Sequence, residues 1–315
     1  MSFSEETQKL LAQLNQIYPG SVILREQGEN SGVIKAGQVT TDILGTRLMI
    51  EVTDLTAPDF IATREMLKML LTLNGYPQAY FQLETKDESI TEQLMVMATY
   101  LYQPALNAII YREQAQHGQL TPEIAEAYAK GVMTTISKED GNRDEAALRL
   151  LTLIDAKIFM VAVPLDTKQL TDAFKDSFPE AWQAAELIYQ QLAVDKIVDP
   201  FTVHQAITTL FKAFDAQMIA WDLPELHNQE FTTITPVISK EEAKLPVSEV
   251  FGIRHVDLLK HDTKATAFIG EQKSSGQNSF VLNAPADETA EFFKEIYAMS
   301  VEELFTQLKQ PFTIR

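Results

Sequence analysis

Apolar and polar positions recur along the chain with two periods, and the helical period comes first. The amino-terminal segment begins near Ser4, stops before Pro19, and carries apolar residues at helical spacing: Leu10, Leu11, Leu14 and Ile17. Three short apolar runs, separated by glycine-containing turns, then predict strands at 22–24, 33–39 and 47–52. The first fifth of the chain is therefore expected to form a helix followed by a small sheet.

From residue 56 onward the pattern is mostly helical. It predicts helices at 60–73, 91–116, 122–136, 144–162, 166–176, 179–194, 200–221, 287–298 and 300–309. Pro104 is expected to interrupt or kink the second of these. Two apolar runs, 265–270 and 279–282, predict a hairpin with a flexible tip at 272–278. These elements indicate an α+β fold that is mainly helical, with a small N-terminal sheet and a helical C-terminal region that carries one hairpin.

One polar run, 137–144, has the composition of a linker. We use it as a domain boundary, which divides the chain into 1–136 and 144–315.

Composition narrows the classes of function. The chain has 44 acidic and 26 basic residues, a formal charge of −18, and no cysteine. No basic cluster stands out, so we expect no nucleic-acid partner. The absence of cysteine excludes disulfides and thiolate metal sites. The chain shows neither a leader pattern at its start nor an apolar run that could span a bilayer, so we expect a cytoplasmic protein without membrane attachment.

The helix at 60–73 carries the pattern that bears on function. Its polar stripe contains Arg64 and Lys68, one turn apart, with Glu65 beside them. A stripe of this kind on an amphipathic helix usually faces water. The preceding Thr56-Ala57-Pro58-Asp59 segment predicts a capped helix start, with Thr56 as the capping hydroxyl, and Asn74-Gly75 predicts its end.

An edge strand, a short loop and a capped helix with this stripe resemble the zincin metallopeptidases, in which the stripe reads His-Glu-x-x-His. Arg64 and Lys68 stand where the zinc-binding histidines would be, and Glu65 occupies the position of the general base. The segment from Glu92 to Pro104 is similar to the helix that carries the third ligand, which would be Glu92. The resemblance covers about residues 33–104, so it makes 1–136 a zincin-like subdomain. The whole chain also resembles an IpaB/EvcA-labelled protein family of lactic-acid bacteria.

Guanidinium and ammonium groups have no lone pair to give a metal at neutral pH. The resemblance therefore implies a former active-site cleft, made of Arg64, Glu65, Lys68 and Glu92, without a metal, a cofactor or zinc-peptidase activity. We expect a non-catalytic protein that binds a peptide or protein partner in this cleft.

Two alternatives stay open. One is an enzyme with a different kind of active site. It would use either metal-free acid–base chemistry at Arg64, Glu65 and Lys68 or a metal held by His255, Asp257 and His261. The other is a structural or regulatory interaction protein in which the helix is only core. His204 is expected to be a hydrogen-bonded core residue rather than a ligand. The sequence assigns no oligomeric state.

Overall fold

The computed structural model describes residues 3–283 and 290–315. The chain forms two compact units. The first consists of the residues up to Asn74 together with Leu106–Val194, and the second of Gly75–Ala105 together with Asp195–Arg315. The polar run 137–144 lies inside the first unit, so this division differs from the boundary that the sequence suggests.

The described residues form the ten predicted helices, with ends displaced by a few residues, and two four-residue helices that the sequence analysis does not predict, at 228–231 and 247–250. In chain order they are α1 (Glu5–Ile17), α2 (Pro58–Leu73), α3 (Glu88–Gln116), α4 (Pro122–Met133), α5 (Ala146–Ala162), α6 (Lys168–Ser177), α7 (Pro179–Leu192), α8 (Pro200–Ala220), α9 (Asn228–Phe231), α10 (Val247–Val250), α11 (Ala290–Ala298) and α12 (Val301–Leu308). The predicted start of the penultimate helix, at 287, lies outside the described residues. Helix α3 continues through Pro104, and the division between the units falls just after it.

The strands are mostly short. They are β1 (Ser21–Glu29), β2 (Val39–Leu44), β3 (Arg47–Asp54), β4 (Ala79–Tyr80), β5 (Leu83–Glu84), β6 (Thr233–Ile234), β7 (Val237–Ile238), β8 (Phe251–Lys260), β9 (Thr266–Gln272), β10 (Asn278–Asn283) and β11 (Thr313–Ile314). Of the described residues, 53% lie in helices and 19% in strands, so the predicted mainly helical α+β fold is confirmed. No helix in 3–283 or 290–315 combines the length and the apolar character that crossing a membrane requires.

The first unit contains a three-stranded sheet in the order β1-β3-β2, with β1 parallel and β2 antiparallel to β3. Leu48, Ile50 and Val52 alternate along β3 and point into the core. Leu14 of α1 and Met66 of α2 pack in the same core cluster. The strand before α2 is thus the central strand of this sheet, not the edge strand that the zincin resemblance implies.

The prediction of a strand at 33–39 is wrong. This segment forms a loop that packs on α4, and the strand begins only at Val39. Ile34 is buried and its N–H donates to the carbonyl oxygen of Ala127. The close approach requires Gly131, because a Cβ there would lie 1.8 Å from the carbonyl oxygen of Ile34. The apolar run therefore serves packing against a helix rather than pairing in a sheet.

The second unit is built around a four-stranded sheet in the order β10-β9-β8-β5. One core cluster joins this sheet to α10, α11 and α12 and contains Phe251, Phe280 and Phe305. A second contains Leu83, Phe231, Val256, Ala267, Ile269 and Val281. The amphipathic helices near the carboxyl terminus thus fold onto the predicted hairpin.

The hairpin is present, but its tip is held at its last residues. Gln277 and Asn278 are fully buried. The Nε2 of Gln277 donates to the carbonyl oxygen of Thr232 at 2.6 Å, and the Nδ2 of Asn278 donates to that of Glu230 at 2.9 Å. The prediction of a flexible tip is therefore wrong for these two residues, because their amide groups bind the backbone around α9.

Candidate functional site

Contacts to α1 fix the start of helix α2. The Oδ1 of Asp59 accepts hydrogen bonds from the backbone N–H of Ser4 at 2.8 Å and from the hydroxyl of Thr7 at 2.5 Å. The cap predicted at Thr56 is wrong, because Ala57 is the N-cap and has no side-chain cap bond. The Thr56 hydroxyl instead donates to the Oδ1 of Asn30. The predicted end of the helix at Asn74 is confirmed.

Arg64, at the first of the two zinc-ligand positions implied by the resemblance, is half-buried and packs toward Tyr111 of α3. Its guanidinium carbon lies 5.6 Å from the centre of the Tyr111 ring, a cation–π distance. Burial acts to lower the pKa of Arg64, but the neighbouring phenols and carboxylates outweigh it and raise the pKa. The side chain therefore keeps its positive charge at a half-buried position.

Asp155 of α5 stands at the centre of the polar cluster near Arg64. Its Oδ2 accepts hydrogen bonds from the hydroxyls of Tyr111 at 2.8 Å and Tyr128 at 2.7 Å, and its Oδ1 accepts one from the Nδ2 of Asn107 at 2.6 Å. Burial raises the pKa of both tyrosines well above the ordinary value. Both phenols therefore stay protonated and donate to Asp155.

We call Arg64, Asn107, Tyr111, Tyr128 and Asp155 the Asp155 cluster. It contains one cation and one carboxylate, so its formal charge balances. Three hydrogen bonds to one carboxylate are an arrangement that holds an anion in place inside a fold.

Glu65 and Lys68 form an ion pair within α2. The Nζ of Lys68 lies 3.7 Å from the Oε1 of Glu65, at a spacing of three residues. The Lys68 side chain is 42% exposed and that of Glu65 is 17% exposed. Such a pair at a helix surface contributes only a few tenths of a kcal/mol.

Helix α2 thus brings three of the four predicted cleft residues together, namely Arg64, Glu65 and Lys68. Glu92 is exposed on the part of α3 that belongs to the second unit. Its grouping with the other three residues stays a prediction. In the part of the chain that the structure describes, no group of three or more His, Asp or Glu side chains is placed to hold a metal ion.

The alternative metal site, His255, Asp257 and His261, is distributed over different contacts. The ring of His255 packs against Phe268 with centroids 5.4 Å apart. Asp257 is exposed and lies 3.8 Å from the Nζ of Lys86. The Nδ1 of His261 lies 3.0 Å from the Oε2 of Glu84, which also pairs with Lys264. Each of the three side chains therefore has a partner outside the proposed set.

A pocket of about 390 Å³ lies beside α2 in the first unit. We call it the α1–α2 pocket. It is lined by residues of α1, α2 and the end of α3 with the segment after it: Glu6, Lys9, Leu10, Gln13, Thr63, Leu67, Leu70, Glu113, Gln114, His117 and Gln119. Its volume falls in the range of small-molecule sites.

A second pocket, of about 350 Å³, lies in the second unit and is more polar. It contains Asp215, whose Oδ1 accepts the backbone N–H of Leu226 at 2.9 Å. Burial raises the pKa of Asp215, against the effects of that hydrogen bond and of His227. His227 also lines the pocket and has a left-handed backbone, with φ of +51°. Positions of this kind are enriched at functional sites.

Sequence reasoning did not identify the Asp155 cluster or either pocket. Asp155 lies among apolar residues of α5. An isolated acidic residue in an otherwise buried helix is the sequence signal that could have identified it. Its partners come from α3 and α4, and no spacing rule connects those positions. The comparisons with family models, curated proteins and solved structures find no match.

Proposed function

We propose that the protein is a non-catalytic, metallopeptidase-like protein that binds a peptide or protein partner. The observation that carries partner binding is the exposed sheet edge at β2, and the engagement of the α2 stripe with partners inside the first unit supports the non-catalytic part of the proposal. Arg64 packs on Tyr111 near Asp155, and Lys68 pairs with Glu65. Side chains held in this way stabilise the helix where a peptidase would keep its metal ligands.

An open sheet edge supports partner binding. Within the described residues, strand β2 pairs on one side only, with β3, and it is exposed along nearly its whole length. Ile43 is 73% exposed and Leu44 is 59% exposed. Unpaired backbone groups at such an edge accept an added strand, and natural proteins usually protect edges with charge or proline. The occupant proposed for β2 is an extended peptide segment of a partner protein.

A peptide-display selection on the purified full chain tests this proposal. We expect enriched peptides to bind the protein, to remain uncleaved, and to lose binding when Ile43→Lys and Leu44→Lys are combined. Val161→Lys is the matched control, because Val161 is an exposed apolar residue of α5, and it should leave binding unchanged. Failure to enrich any peptide, or peptide binding that survives the β2 substitutions, would refute binding at this edge.

The metallopeptidase-like geometry has its own test. Zinc is measured by elemental analysis on protein purified without a metal-affinity tag, for the natural chain and for an Arg64→His, Lys68→His variant. We expect the natural chain to lack stoichiometric zinc and the variant to bind one ion, because histidines four apart on a helix present both imidazoles to one metal. A natural chain with bound zinc would contradict the proposal. If the variant binds no zinc, the metallopeptidase-like part of the proposal is refuted. Partner binding at β2 would then still be decided by the display experiment.

A second candidate function is an enzyme sited in the second unit. It is favoured by Asp215, which has a raised pKa in a pocket that also contains the strained His227. A panel of ester, phosphate and peptide substrates tests it. Turnover that Asp215→Asn abolishes would support this candidate, and absence of turnover by the natural chain would refute it.

We also propose that the protein is cytoplasmic, as expected from the sequence. The remaining alternative is a structural or regulatory interaction protein that binds no free peptide. It predicts a display selection without enrichment together with a natural chain that lacks zinc.

A further inference from the structure

The α1–α2 pocket has an apolar wall and a charged rim. Leu10, Leu67 and Leu70 supply the wall. Glu6, Lys9, Glu113 and His117 supply the charged and titratable groups. Two carboxylates against one ammonium leave one negative charge at the rim when His117 is neutral. A ligand that matches this lining has an apolar body and one positive charge.

The ion pairs at the rim leave Glu113 as the carboxylate available to a ligand. Glu6 is paired with Lys9, with 2.7 Å between Oε1 and Nζ. His117 lies between the two acids, its Nε2 3.4 Å from Glu113 and its Nδ1 3.7 Å from Glu6. A neutral imidazole carries no charge to offset that of the Glu113 carboxylate, which lies beside the pocket.

Gln114 provides a second, independent observation. Gln114 is 1% exposed, and its Oε1 has no hydrogen-bond partner among the residues that the structure describes. The amide orientation is fixed, because Nε2 donates to the carbonyl oxygen of Phe60 at 2.8 Å and to the hydroxyl of Thr63 at 2.9 Å. A flipped amide would place two acceptor oxygens against each other. A buried acceptor without a donor is a costly arrangement, which an N–H from a ligand in the adjacent pocket would relieve.

We propose that the α1–α2 pocket binds a primary ammonium group attached to an apolar chain. The ammonium, with three N–H donors, pairs with Glu113 and supplies a donor toward Gln114, while the chain packs on Leu67 and Leu70. The site is separate from the β2 edge, so this inference stands or falls independently of the proposed function.

Titration of the full chain with hexylammonium, followed by NMR chemical-shift changes, tests the inference. A ligand of this size is expected to bind with a Kd on the order of 1 mM. Hexanoate, with the same apolar chain and the opposite charge, should cause no saturable change. Leucyl-glycyl-glycine amide is titrated in parallel. Tighter binding of the peptide assigns the site to a chain terminus, tighter binding of hexylammonium assigns it to a free amine, and either result supports an ammonium site.

Three variants identify the groups that bind. Glu113→Gln should weaken hexylammonium binding about tenfold, because it removes a charge-assisted partner worth roughly 1.4 kcal/mol. His117→Lys should weaken it as well, because it places a permanent cation at the rim. Glu126→Gln, at an exposed position of α4, should leave the Kd unchanged. Absence of saturable binding, equal binding of hexanoate, or an unchanged Kd in Glu113→Gln would overturn the proposal.

Discussion

His204 is expected to make the second unit less stable as the pH falls below neutrality. The side chain lies on α8 and is 3% exposed, and its Nε2 has no hydrogen-bond partner in the described part of the chain. The core position expected from the sequence is confirmed, but no hydrogen bond to Nε2 accompanies it. Burial lowers the pKa of His204 to about 4, from an ordinary value of 6.5. The folded protein therefore keeps this imidazole neutral in a pH range where the unfolded chain protonates it.

The direction and size of the effect follow from proton linkage. Between pH 6.5 and pH 4 the unfolded chain binds more protons than the folded one, so stability falls as the pH falls. A shift of this size corresponds to about 3 kcal/mol over the whole range, at roughly 1.4 kcal/mol per pKa unit. At pH 5 the expected loss relative to pH 7 is about 2 kcal/mol. That is a large fraction of the stability of an ordinary domain.

Urea unfolding at pH 7, 6 and 5 measures this loss. Trp221, at the end of α8, reports on the second unit in a Trp182→Phe background. In that background, His204→Leu should reduce the loss between pH 7 and pH 5 by about 2 kcal/mol, because the apolar side chain has no proton to bind. His255→Gln, at an exposed position on β8, should keep the original pH dependence. Equal losses with and without His204 would refute the reasoning.

Three further predictions concern the first unit, and urea unfolding measures each. Tyr128→Phe removes one hydroxyl donor from Asp155 and should lower the free energy of unfolding by about 1.5–3 kcal/mol. Asp155→Leu should cost at least about 3 kcal/mol because it leaves the charge of Arg64 without its compensating carboxylate, and adding Arg64→Met should recover part of that loss. Gly131→Ala should destabilise by about 1–3 kcal/mol, because its Cβ would overlap the carbonyl oxygen of Ile34. A change below about 0.5 kcal/mol, as at ordinary surface positions, would contradict each prediction.

The ten longer helices were predictable because each carries its own information. Apolar residues at helical spacing, with stop signals such as Asn74-Gly75, define α2 from its own residues, and α8 begins at a capping box formed by Asp199 and Thr202. The wrong strand at 33–39 shows where such local signals end. A short apolar run is equally compatible with pairing in a sheet and with packing on a helix. The contact between Ile34 and α4 depends on Gly131, almost a hundred residues further along the chain.

The order of strands could not be read from the sequence for the same reason. Local patterns predict that β3 precedes α2, but the position of β3 in the sheet depends on which strands pair with it. Parallel pairing of β1 with β3 places β3 in the centre and leaves β2 at an edge. The exposed residues Ile43 and Leu44, on which the proposed partner binding depends, became visible only with this pairing.

The two basic residues of the α2 stripe, Arg64 and Lys68, differ in how much the fold depends on them. Arg64 is half-buried, and its charge is balanced by the nearby Asp155, which has three hydrogen-bond donors around it. Lys68 extends to the surface and pairs weakly with Glu65, so its replacement by histidine costs little. Replacement of Arg64 removes the cation near Asp155. The Arg64→His, Lys68→His variant should therefore be destabilised mainly through Arg64→His. Binding of a zinc ion, which replaces the lost positive charge, should restore part of that stability.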